Sequence, residues 1–141
     1  GVAVVPRLAN ISTRGLCSTA DNLMIAGAIV GGGNGGGVRI IARGMGPSLN
    51  INGAPIANRL LDPRLELVDA NGMALATNND WKSDQQQDIE DTDLAPANDL
   101  EAAIVAQVPP GPIMVHLRGN NESSGIGLVE IYELPPQLNL D

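Results

Sequence analysis

Val38-Arg39-Ile40-Ile41-Ala42-Arg43-Gly44-Met45-Gly46-Pro47-Ser48-Leu49 is the stretch on which the reading of the fold turns. Its first six residues are strand formers, with Val38, Ile40 and Ala42 on one face and Arg39, Ile41 and Arg43 on the other. Gly44, Gly46 and Pro47 then turn the chain. Such a strand needs partners on both sides, and the segments around it supply candidates.

Working outward, Arg7 to Gly15 alternates well enough for a strand that closes on glycine. Asn22 to Val30 is apolar on both faces, which is the pattern of a strand covered on both sides. Gly31-Gly32-Gly33-Asn34-Gly35-Gly36-Gly37 joins it to the opening strand as a hairpin loop. The run contains G-x-G-x-x-G, but a strand follows where a dinucleotide site needs a helix, so a flexible connector is the reading. Beyond Leu49, Arg64 to Asp69 is a half-exposed strand, Asp69-Ala70-Asn71-Gly72 a hairpin turn, and Met73 to Thr77 its return. Asp84 to Asp93 predicts one or two polar helical turns. Asn98 to Gln107 predicts a capped helix with Leu100, Ile104 and Val105 on one side. Ile113 to Arg118 and Ile126 to Leu134 are the two final strands. Short strands, hairpin turns and little helix make the fold class mainly β: an antiparallel, jelly-roll-like β-sandwich with one or two short helices between residues 84 and 107.

Length and composition set the bounds. The chain has 141 residues, enough for one domain, with no Phe, one Trp and one Tyr, so its core must be aliphatic. A formal charge of −8 argues against nucleic acid and anionic membrane as partners. No apolar run reaches the ~18 residues of a membrane span, so membrane insertion is not expected. The single cysteine, Cys17, excludes an intrachain disulfide, and a buried small hydrophobe accounts for it. A start without Met or a charged leader reads equally as a mature secreted product or as a trimmed chain.

Few residues ask for chemistry. His116, the single histidine, shares a strand face with Met114 and Arg118, and no nucleophile motif is tied to it. Catalytic residues are therefore not assigned. Carboxylates crowd residues 80–101, but a glycosidase pair usually comes with aromatic sugar platforms that this chain lacks. A solvated acidic face is the plainer reading. The alternative is a calcium site built on Asp62, Asp69, Asn71, Asn79 and Asp80, the one cofactor the sequence admits. Arg14, Arg39 and Arg43 with Glu66 and Glu130 read as cross-strand ion pairs. Asn10-Ile11-Ser12 and Asn121-Glu122-Ser123 are glycosylation triplets of a kind common by chance.

Arg7 to Gly15, Gly46-Pro47-Ser48-Leu49, Asp62 to Leu67, Asn78-Asn79-Asp80-Trp81 and Gly125 to Leu134 form a pattern spanning residues 7–134. That pattern resembles a β-rich domain that recurs in secreted and cell-surface proteins of environmental bacteria. It is similar, more weakly, to the bacterial pre-peptidase C-terminal β-sandwich. The resemblance implies an extracellular, non-catalytic module.

The domain then occupies 7–134, with an extended tail at 1–6 and another at 135–141. Val2, Ala3, Val4, Val5, Leu138 and Leu140 make those tails apolar, as suits a strand added to a neighbouring sheet edge. The expectation is a secreted structural protein, partnered by copies of itself, that builds a filament or surface assembly through strand or tail exchange. A monomeric binding module for carbohydrate or another surface ligand is the alternative, and a small hydrolase ranks last.

Overall fold

A computed structural model describes residues 11–17, 23–30, 37–121 and 123–135. The strands are β1 (Ile11–Cys17), β2 (Met24–Val30), β3 (Val38–Met45), β4 (Asn50–Ile51), β5 (Ala54–Pro55), β6 (Pro63–Asp69), β7 (Ala74–Asn78), β8 (Ala102–Val108), β9 (Gly111–Gly119) and β10 (Gly125–Leu134). A 3-10 turn at Trp81–Ser83 and a short helix α1 (Gln86–Asp91) lie between β7 and β8. Two four-stranded sheets result, in the orders β1-β10-β3-β8 and β2-β9-β6-β7, and a small β4-β5 hairpin stands apart. Every pairing in the two large sheets is antiparallel. The chain is in effect one long hairpin. In the two large sheets β1, β2, β3 and β6 run outward, β7 to β10 return, and the pairs β1–β10, β2–β9, β3–β8 and β6–β7 give the jelly-roll wrap the sequence suggested.

The opening strand sits where its pattern requires. β3 lies between β10 and β8, with Ala42 in register with Ile131 on one side and Ile104 on the other. A small residue between two isoleucines lets the layers interdigitate. Ile40 and Ala42 point into the core between the sheets with Leu65, Leu67, Ile113, Val115 and Leu117. Ile41 points the other way, into a second, smaller cluster with Ala103, Val105, Leu134, Trp81 and Ile89. The segment from Trp81 to Ala95 therefore lids the outer face of the first sheet, and β3 is buried on both faces.

Three expectations need correction. Asn98 to Gln107 is not a helix. Asn98 begins one turn, with Leu100 N–H donating to its Oδ1 at 2.9 Å, and the chain then enters β8. Ala102 and Ile104 face the main core while Ala103 and Val105 face the outer cluster. A strand covered on both faces has the same continuous apolar run as a buried helix, so periodicity did not separate them. The helical content between residues 84 and 107 is α1 alone.

β2 and β3 are not a hairpin either. They belong to different sheets, and the glycine-rich residues 31–36 lie outside the described residues. Lastly, β2 is covered on one face only: Met24, Ala26, Ala28 and Val30 are buried, while Ile25, Gly27 and Ile29 are exposed.

Candidate functional site

Among the described residues the buried polar side chains of Asn78, Glu101 and Glu130 are committed to holding the sandwich together. Glu101 leaves the turn before β8 fully buried. Its Oε2 accepts from Gly46 N at 2.9 Å, Ser48 N at 3.0 Å and Ser48 Oγ at 2.6 Å, and its Oε1 accepts from Asn98 N at 3.2 Å. The Gly-Pro-Ser turn is thus a small nest of donors wrapped around one carboxylate. Pro47 has no N–H to offer, and its carbonyl instead accepts from Arg59 Nε at 3.1 Å. The carboxylate is sealed from solvent.

Arg43 and Glu130 face each other across β3 and β10, as the sequence anticipated, and form an ion pair. Arg43 also donates to the Leu94 carbonyl at 3.0 Å, which ties the lid segment to the sheet, and lies over the Tyr132 ring. Tyr132 Oη donates to Glu130 Oε2 at 2.9 Å. Burial, then the hydrogen bond to Glu130 and the charge of that carboxylate, raise the Tyr132 phenol above its ordinary value. This cluster clamps β10, β3 and the lid.

His116 lies on the outer face of the second sheet, in register with Ile25 and Glu66. Its Nδ1 is 3.6 Å from Glu66 Oε1 and makes no hydrogen bond. Among the described residues no serine, threonine or cysteine hydrogen-bonds to it, whereas a catalytic triad places a nucleophile there.

The five residues considered for calcium fall into two groups at opposite ends of the β6–β7 hairpin: Asp69 and Asn71 at its turn, and Asp62, Asn79 and Asp80 at its open end. Asp69 Oδ1 caps the β6–β7 turn by accepting from Asn71 N at 2.9 Å and Met73 N at 3.0 Å. Asn79 and Asp80 lie past the far end of β7, and Asp62 precedes the start of β6. At ~3.3 Å per residue, the hairpin holds its two ends roughly 20 Å apart. Asp62 Oδ2 accepts from Asn120 Nδ2 at 3.1 Å, a loop contact across the sandwich end. Among the described residues no three His, Cys, Asp or Glu side chains gather as a metal site would need. The extended strands thus hold Asp69 and Asn71 away from Asp62, Asn79 and Asp80, and the five do not form one set of ligands.

The four sheet edges differ sharply, and here the structure adds what the sequence reading missed. The β8 edge is blocked by side chains. Gln85 Nε2 donates to Val105 O at 2.8 Å, Val105 N donates to Gln85 Oε1 at 3.1 Å, and Ala103 N donates to Asn78 Oδ1 at 3.1 Å. The Gln85 amide behaves like a peptide group of an added strand. β7 is five residues long and opposes an irregularity at Leu67/Val68. β1 carries an exposed arginine, Arg14, at its centre. Short length, irregularity and charge are the usual devices against edge-to-edge pairing.

β2 has none of these. Its seven residues, Met24-Ile25-Ala26-Gly27-Ala28-Ile29-Val30, include no charge and no proline, and no register shift interrupts its pairing with β9. Among the described residues nothing pairs with its other side. Ile25 is 54% exposed and Ile29 77%.

The tail residues Val2, Ala3, Val4, Val5, Leu138 and Leu140 lie outside the described residues. No protein-family model matches the chain, and a search of curated proteins finds no significant match.

Proposed function

We propose that this chain is a non-catalytic structural module that self-associates, through strand addition at a sheet edge, into an extracellular filament or surface assembly. One observation carries the reading. Three of the sheet edges have a device that discourages pairing, while among the described residues nothing covers the β2 edge, which presents two exposed isoleucines. An unguarded apolar edge is a liability for a protein that works alone and an asset for one that pairs. The consumption of Glu101, Arg43 and Glu130 in structural contacts supports the non-catalytic half of the reading. The extracellular half rests on the resemblance of residues 7–134 to secreted and cell-surface domains. Apolar tails at residues 1–6 and 135–141 offer further strands for exchange between copies.

The test is the mass and shape of the purified chain over a wide concentration range, by sedimentation velocity and negative-stain imaging, beside a chain lacking residues 1–6. The expected result is concentration-dependent assembly of the full chain. The shortened chain should be folded but unable to form the largest species. A full chain that stays monomeric at every concentration contradicts the proposal.

A further inference from the structure

We infer that β2 pairs with β2 of a second copy, antiparallel and about a twofold axis at Gly27. The inference rests on the self-association reading and specifies its contact. The strand reads almost the same in both directions: Met24/Val30, Ile25/Ile29 and Ala26/Ala28 are matched about the central Gly27. An antiparallel pair centred there sets Ile25 opposite Ile29 of the second copy, and Ala26 opposite Ala28. Like positions fall on like faces, as an isologous contact requires. The buried alanines extend the core row, and the exposed isoleucines cover one another on the outer face.

Two further observations favour a second copy over an unrelated partner. Each chain carries a formal charge of −8, so two copies approach most easily along a strip without charge, and β2 is such a strip. Among the described residues nothing explains a glycine at position 27. Its φ is not positive, and a Cβ built there would meet just the Ile113 carbonyl oxygen, at 3.9 Å. A glycine inside a strand weakens it and often marks the close approach of another backbone. At the twofold axis the two Gly27 residues face each other. A contact of this kind closes on itself, so longer assemblies need a second contact, for which the tails are the available segments.

The register makes the proposal sharp. In an I25K/I29K chain, each new lysine faces a lysine of the other copy. In an I25K/I29E chain, each new lysine faces a glutamate. Both variants change side chains that are exposed in the subunit, so melting temperatures should stay close to that of the unchanged chain, which verifies folding. Sedimentation equilibrium on the full chain at low salt should show the I25K/I29K dissociation constant raised ~100-fold. The I25K/I29E value should return to within about tenfold of the original.

If I25K/I29K assembles like the unchanged chain, β2 is not the contact, although self-association stands. If I25K/I29E is as weak as I25K/I29K, β2 is covered by something other than an antiparallel second β2, such as residues 1–6. Either result overturns the inference. An unchanged chain that is monomeric throughout overturns the self-association reading as well.

Discussion

Replacing Glu101 with alanine should lower the stability of the folded chain by about 3–5 kcal/mol, or roughly 12 °C in melting temperature. The carboxylate is fully buried and accepts from Gly46 N, Ser48 N, Ser48 Oγ and Asn98 N. Truncation leaves those donors without an acceptor in a place water does not easily reach, and it opens a cavity beside the first turn of β8. Hydrogen bonds to a charged acceptor are stronger than neutral ones, so the loss exceeds that of an ordinary polar contact. Glu101→Gln keeps the volume and one oxygen but turns an amide donor toward donors. It should lose about half as much. Chemical denaturation of both variants measures this directly. A loss below about 1 kcal/mol for the alanine variant would mean that the Gly-Pro-Ser turn holds its shape without the carboxylate.

The second large effect comes from the same turn. A Cβ at Gly46 would sit 1.8 Å from the Leu60 carbonyl oxygen and 2.8 Å from its carbon. Leu60 is fully buried, and its N–H donates to the Ile126 carbonyl at 2.7 Å, so it has little freedom to withdraw. Gly46→Ala should therefore cost more than about 4 kcal/mol and yield a chain that is largely unfolded or insoluble when expressed. The comparison with Gly72 isolates the cause. Gly72 has a φ of +80° and nothing within 4 Å of a built Cβ. Gly72→Ala should cost just the strain of a left-handed residue, ~1 kcal/mol, and remain folded. Melting curves of the two variants side by side separate backbone crowding from backbone conformation. Equal losses would contradict the assignment.

How much of this was legible in the chain depended on whether the information was local. β3, β6, β9 and the Asn71-Gly72 turn were readable because alternation and turn chemistry act within a few residues. The Arg43–Glu130 pair was readable as a class of contact, since both residues stand on strands. β8 was misread because its apolar residues serve two different layers, which erases the alternation that marks a strand. The hairpin placed between β2 and β3 failed for a related reason: a turn signal fixes where the chain bends, but not which strand it pairs with afterwards. In a jelly roll, three of the four outgoing strands pair with partners far away in sequence.

The candidate calcium residues were grouped by sequence proximity, and the extended hairpin sets Asp69 and Asn71 at one end and Asp62, Asn79 and Asp80 at the other. The edge caps at Gln85 and Asn78 left no trace in the sequence, because a side-chain amide becomes a surrogate strand only after β8 has been placed beside it. The near-palindrome about Gly27 was present all along, but it became meaningful once one face of β2 proved to be uncovered.

The central claim is that β2 is the edge that copies share, and amide hydrogen exchange along Met24–Val30 tests it most directly. In dilute solution, where the chain is monomeric, the edge-facing amides of β2 should exchange freely. They should become protected in step with the rise in mass as concentration increases. The amides of Ala103 and Val105, already bonded to Asn78 and Gln85, should be protected at every concentration and serve as the internal reference. Assembly that proceeds while β2 exchange stays unchanged, or β2 amides already protected in the monomer, would contradict the account.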